Sequence, residues 1–206
     1  MTFTSVSILD LGFGNISAFK RIYQSEQISF EIINSKEDVL QANRLIMPGV
    51  GSFDSSMKSI NNSGLRSSIE SAVFEKNVPL LGICVGMQVM FDHSEEGSSP
   101  GLGWLQGHVS NFTSSDQHIF TPHMGWNNFK LNSSHPIFEG ISEDMYFYFL
   151  HSFYCSPDDY NDVLCSSNYY LNFASVVAKD NLIGIQFHPE KSHSQGVQIL
   201  KNFSRF

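Results

Sequence analysis

The stretch Pro79-Leu-Leu-Gly-Ile-Cys-Val-Gly-Met-Gln88 constrains this chain more than any other. A continuous apolar run over residues 78–83 reads as a buried strand, and residues 85–91 have the spacing of a helix. Only Gly82-Ile83-Cys84-Val85-Gly86 separates the two. A turn that tight brings the positions two before and two after Cys84 so close that side chains there would collide, hence glycine at both. The form is a strand–turn–helix elbow with Cys in the nucleophile position. It lifts the sulfur out at the end of a sheet and sets it at a helix N-terminus, a location that favours thiolate. The Val85 N–H points to where an oxyanion would form. Gln88 lies one turn up the same face, available to a ligand or to solvent.

The elbow implies a sheet, and the rest of the chain supplies one. Residues 5–10 form an apolar run closed by Asp10, and a helix follows Asn15, a good N-cap, with Ile16, Phe19, Ile22 and Tyr23 on one face. Strands follow at 30–33 and 44–47, with a helical turn near 38–42 between them. Pro48-Gly-Val-Gly51 breaks the pattern, Ser52 or Asp54 opens another helix, and residues 66–76 are helical by spacing. This rhythm predicts βαβ units and a mostly parallel sheet. From about Gly107 the strands are short and aromatic, at 109–112, 128–131, 146–150, 163–166, 173–178 and 183–187. They read as antiparallel additions at the sheet edge before a closing helix over 195–203. With no repeat and no linker, residues 1–206 are expected to form one α/β domain.

A thiolate nucleophile needs a histidine to carry protons and a group to hold that histidine. Among eight histidines, His188 has the right context, because the strand at 183–187 delivers His188-Pro-Glu190 at its carboxyl end. In extended backbone, positions i and i+2 share a side, so Glu190 can reach the imidazole. Ligands of parallel sheets bind at carboxyl ends of strands, where Cys84 also lies. His93, His108, His118, His135 and His193 lack such context and read as surface or turn residues. The glycine loop at 48–51 follows another strand end, where its backbone N–H groups can approach developing negative charge. Gly12-Phe-Gly14 lacks the third glycine of a dinucleotide fingerprint.

Composition narrows the classes further. Net charge is −8 with only 12 Lys and Arg, so the basic footprint of a nucleic-acid binder is missing. No run approaches ~18 apolar residues, so no membrane span is expected. Three cysteines without CxxC spacing suit a reducing cytoplasm, and no metal or cofactor is implied. Cys155 and Cys165 read as packing residues.

Pro48-Gly-Val-Gly51, Leu81-Gly-Ile-Cys-Val-Gly-Met-Gln88, Ser94-Glu-Glu-Gly97, Pro122-His-Met-Gly-Trp-Asn127, His151-Ser152 and Gln186-Phe-His-Pro-Glu-Lys-Ser192 together resemble the class I glutamine amidotransferases. More narrowly they are similar to the glutaminase subunits of imidazole glycerol phosphate synthase, nearly end to end. The resemblance implies a flavodoxin-like fold and a Cys84–His188–Glu190 triad acting on L-glutamine through a thioester. It implies that Gly51, Gln88 and the backbone of His151-Ser152-Phe153 hold the γ-glutamyl group, and that Val50 and Val85 form the oxyanion hole. It also implies a heterodimer with a (β/α)8-barrel cyclase that receives the ammonia in histidine biosynthesis, contacted by Asn15, Trp126 and Lys191. Trp126 in a Gly-Trp-Asn loop suits an interface hot spot on physical grounds as well. Two departures stand out. Phe153 replaces the usual Tyr, removing a hydroxyl near the substrate. Lys191-Ser-His193, and Asn15-Ile-Ser17 after the first glycine loop, resemble a paralogous branch that feeds ammonia to amidating enzymes of bacterial surface-sugar synthesis. Outside catalysis, the alternative is a silent docking module, against which the complete triad speaks.

Overall fold

The computed structural model describes residues 5–114 and 119–206. The N-terminal half alternates as expected: β1 (Val6–Leu9), α1 (Ile16–Ser25), β2 (Phe30–Ile33), α2 (Lys36–Gln41), β3 (Leu45–Gly49), α3 (Phe53–Ser63), α4 (Arg66–Glu70), β4 (Leu80–Cys84) and α5 (Val85–Gln88). The chain continues through β5 (His93–Ser94), β6 (Gly107–Asn111), β7 (His123–Asn127), β8 (Lys130–Leu131), β9 (Phe147–His151), β10 (Phe153–Pro157), β11 (Val163–Tyr169), β12 (Leu171–Lys179), β13 (Leu182–Ile185) and α6 (His193–Phe203). After α4 the helix widens into a π turn over Ser71–Glu75.

One large sheet runs in the order β2-β1-β3-β4-β13-β12-β10-β6-β5, with β11 and β8 branching from β12. Its first five strands are all parallel. Counted along the chain, that block has the 2-1-3-4-5 order of flavodoxin-like sheets, whose switch point lies between β1 and β3. Every residue of β1, β3, β4 and β13 is buried, which requires cover on both faces. The edge strand β2 is exposed at its middle residues instead.

Several expectations change in the second half. The strand expected at 183–187 is no edge addition: β13 pairs parallel with β4 inside the sheet and ends at Ile185. The antiparallel part begins one strand later, at β12. The strand expected at 128–131 is only Lys130–Leu131, while His123–Asn127 pairs with β9 in a small separate sheet. That strand and β10 were not legible. Ser52 and Ser35 cap α3 and α2 through their hydroxyls, but Asn15 makes no side-chain cap at α1. The helix expected over 85–91 stops at Gln88. Its next carbonyls are taken from outside, Val89 by the Leu102 N–H at 2.8 Å and Met90 by the Trp104 N–H at 2.8 Å. No helix among the described residues is long and apolar enough to cross a membrane.

Candidate active site

Cys84 closes β4 with φ 54° and ψ −113°, a backbone state that a side-chain-bearing residue adopts only when its surroundings impose it. Three glycines impose it. A Cβ on Gly82 would lie 2.5 Å from the Gly86 oxygen, one on Gly86 2.0 Å from the Met47 oxygen, and one on Gly49 2.2 Å from the Gly86 nitrogen. β3, β4 and α5 therefore touch backbone to backbone. The collision that excludes a side chain at Gly86 comes from the neighbouring strand, not from position 82. Four residues of helix carry little macrodipole, so what α5 offers at Cys84 is local N–H groups rather than a long helix field.

His188 reaches the same place from β13. The Phe187 ring anchors the approach, 4.4 Å from Phe147 and 5.6 Å from Phe149 between centroids. The His188 N–H donates to the Tyr148 carbonyl at 2.8 Å. Ser192 Oγ donates to the His188 carbonyl at 2.6 Å and accepts the Tyr148 N–H at 2.9 Å. Ser192 was not singled out from sequence, yet it pins this segment to β9. Glu190 does reach the imidazole, with Nδ1 to Oε1 2.8 Å and both side chains almost wholly buried. The route differs from the extended i, i+2 geometry, because Pro189–Lys191 is a 3-10 turn that folds the carboxylate back. Burial works to lower the His188 pKa, but Cys84 and Glu190 outweigh it and raise it to about 10. With Nδ1 engaged by Glu190, Nε2 is the nitrogen left for the sulfur.

Val50, Gly51, Cys84, Val85, Gln88, Ser152, Phe153, His188 and Lys191 all line one cleft of about 260 Å³. Glu190 lies behind His188. Gly51 has φ +104° with open space around its Cα, so backbone conformation, not crowding, selects glycine there. Gln88 is not solvated: it is 3% exposed, and its Nε2 donates to the Phe153 carbonyl at 3.0 Å and to Gln186 Oε1 at 3.1 Å. The carbonyls of Ser152 and Phe153 are committed to the fold. The first accepts from Phe112 N–H at 3.4 Å, the second from Gln88 and from His151 Nδ1 at 2.8 Å.

Sequence reasoning gave no role to three residues here, and to His151 only a backbone one. Glu96, from the Ser94-Glu-Glu-Gly97 signature, lines the cleft and accepts the Phe53 N–H at 2.7 Å. Gln186 is fully buried with Nε2 3.7 Å from Cys84 Sγ. His123 and His151 face each other across the β7–β9 pairing, Nδ1 to Nε2 2.9 Å. His151 donates through Nδ1 to Phe153, so its Nε2 accepts and His123 Nδ1 donates. Burial pushes His151 down to about 3 and His123 down to about 4, leaving both neutral.

The three residues expected at a partner face are exposed. Trp126 on β7 packs edge-on against Tyr148, 5.9 Å between centroids, and Lys191 Nζ sits 5.8 Å from the same ring. His193 stacks on Trp126 at 4.9 Å. Asn15 stands just before α1, which packs near the Pro189–Lys191 turn. His93 and His108 stack on each other, and His135 caps a 3-10 turn. His118 lies outside the described residues. Cys155 and Cys165 are buried and free. Among the described residues, no group of three or more His, Cys, Asp or Glu side chains is placed to hold a metal ion.

A family model described as glutamine amidotransferase class-I matches residues 8–205. The chain is 46% identical over 203 residues to the imidazole glycerol phosphate synthase subunit HisH of Bdellovibrio bacteriovorus, covering 97% of this chain and 98% of that one. It is 42% identical over 198 residues to the protein named subunit HisH 2 of Pseudomonas aeruginosa, with 96% and 98% covered. It is 40% identical over 201 residues to subunit HisH of Leptospira interrogans, with 97% and 98% covered. Among solved structures, PurLQS from Thermotoga maritima superposes with a TM-score of 0.74 at 14% identity, covering 98% of each chain. A glutamine amidotransferase superposes equally well, at 0.74 and 18% identity, covering 96% of each. Those two likenesses speak to the fold alone.

Proposed function

Because this chain belongs to the class I glutamine amidotransferases, we propose that it is the glutaminase subunit of an imidazole glycerol phosphate synthase. In this reading it hydrolyses L-glutamine to glutamate and passes the ammonia to a (β/α)8-barrel cyclase in histidine biosynthesis. The observation that carries the chemistry is the buried His188–Glu190 pair beside the strained Cys84 in one cleft. The pathway reading is supported by relatives 38–46% identical along nearly their whole length.

The raised pKa of His188 makes imidazolium its resting form, stabilised by Glu190. The Cys84 sulfur attacks the glutamine amide carbon, and the carbonyl oxygen takes the negative charge beside the Val50 and Val85 N–H groups. Collapse of that intermediate breaks the C–N bond while His188 gives its proton to the leaving nitrogen. Neutral His188 then takes a proton from water, which attacks the thioester, and expulsion of the sulfur restores the starting pair. Gly51, Gln88, Ser152 and Phe153 surround the substrate, and Glu96 supplies a carboxylate for its α-ammonium group. Asn15, Trp126 and Lys191 face the cyclase. We take residues 1–206 as one glutaminase domain working in a reducing cytoplasm, a setting that fits three free cysteines.

His193 gives a second acceptor a specific footing, since this departure from the family stacks on Trp126 at the proposed docking face. The test is to measure glutamine hydrolysis with and without a barrel cyclase. Stimulation by the cyclase supports the histidine-pathway reading. Stimulation only by a sugar-amidating enzyme would redirect the ammonia to the paralogous route.

A further inference from the structure

We propose that the side-chain amide of Gln186 is a fourth functional group of the site, donating to the Cys84 sulfur and fixing the orientation of Gln88. It rests on the reading of Cys84 as the nucleophile and deepens it. The orientation follows from a chain of partners. The Phe153 carbonyl can only accept, so the atom of Gln88 3.0 Å from it is the amino nitrogen. That same nitrogen lies 3.1 Å from one polar atom of Gln186, which must therefore be the carbonyl oxygen. The Gln186 amino group is left facing Cys84 Sγ at 3.7 Å. Turning this amide over would set donor against donor at Gln88 and oxygen against sulfur at Cys84, two repulsive contacts in place of two hydrogen bonds.

Gln186 is placed rigidly. It is fully buried, and its backbone N–H donates to the Ser175 carbonyl of β12 at 2.9 Å. An N–H fixed beside the sulfur, across from the Leu150 carbonyl to which the thiol donates at 3.9 Å, holds the sulfur's direction before substrate arrives and meets the negative charge it carries in attack. Both Gln88 amino hydrogens are committed, to Phe153 and to Gln186. Its Oε1 is thus the atom with free capacity on a residue that lines the cleft, ready to accept from a substrate N–H. One amide thereby couples the nucleophile to the substrate strap.

The test uses Gln186→Leu and the isosteric Gln186→Glu, each assembled with its synthase partner. Iodoacetamide labelling is followed at the Cys84 peptide across pH, beside kcat and KM for glutamine and the thermal unfolding midpoint. Losing a hydrogen bond to a charged sulfur predicts a kcat about ten- to a hundred-fold lower in Gln186→Leu. The labelling midpoint should move to higher pH. It should move further in Gln186→Glu, which sets a carboxylate against the sulfur, and KM should rise in both as Gln88 is released. Since Gln186→Glu preserves shape, it decides the matter if the leucine variant does not fold. A labelling midpoint unchanged in the folded variants, or a loss of rate explained by a lowered unfolding midpoint alone, overturns the role of Gln186. Labelling reads the sulfur without glutamine turnover, so that failure stays distinct from failure of the glutaminase reading, which Cys84→Ala judges separately.

Discussion

Lowering the pH from 7 to 5 should destabilise this protein through the His123–His151 pair. His151 is buried beneath Phe112, Phe149 and Phe173, and its pKa is pushed down to about 3 by burial, with His123 down to about 4. In the unfolded chain both recover an ordinary value near 6.5. Between about pH 6.5 and 4 the unfolded state thus binds protons that the folded state refuses, and stability falls as pH falls. At pH 5 the loss from His151 alone is set by the unfolded pKa, 1.5 units above the pH, and comes to about 2 kcal/mol. His123, buried beside it, adds a further part of the same sign. With a urea slope of roughly 2 kcal/mol per molar, the denaturation midpoint should drop by about 1 M or more. His188 contributes with the opposite sign, because its pKa is raised to about 10: its stabilisation is complete below 6.5 and is lost as pH rises through 10. Urea titrations at pH 7 and 5 on the protein and on a His123→Asn, His151→Asn double variant test this. If the double variant shows the same pH slope as the parent, the neutral pair is not the cause.

Two further outcomes follow from the elbow and the triad. Gly86→Ala drives a methyl group into the Met47 carbonyl, so it should lose about 1–3 kcal/mol or more in chemical denaturation and most glutaminase activity as Cys84 is displaced. A variant with unchanged stability and rate would show that β3 does not confine the elbow. Glu190→Gln leaves the shape but removes the charge holding His188, so kcat should fall by about 10⁴-fold, as in other triads. The basic limb of its pH–rate profile should move to lower pH; an unmoved limb with near-normal kcat would remove Glu190 from the mechanism.

The elbow was legible because its glycines answer to sterics within a few residues. His188 with Glu190 was legible for the same reason, although a 3-10 turn, not extended chain, brings the carboxylate round. What escaped was set by register between distant segments. His123 and His151 are 28 residues apart and become partners only through the β7–β9 pairing. Gln186 reads in sequence as one more position of a strand. Its function depends on where β13 lies against β4 and how α5 turns Gln88 towards it. The early stop of α5 belongs here too, since the Val89 and Met90 carbonyls just past it are claimed by residues 102 and 104.

In the proposed cycle a covalent γ-glutamyl thioester forms on Cys84 and is cleared with His188 as the proton carrier. Intact-mass analysis of the protein, mixed with glutamine and its synthase partner and quenched during turnover, reads this thioester itself. A γ-glutamyl adduct is expected on the Cys84 peptide and should be absent from Cys84→Ala. Continued release of glutamate by Cys84→Ala, or an adduct on Cys155 or Cys165, would contradict it.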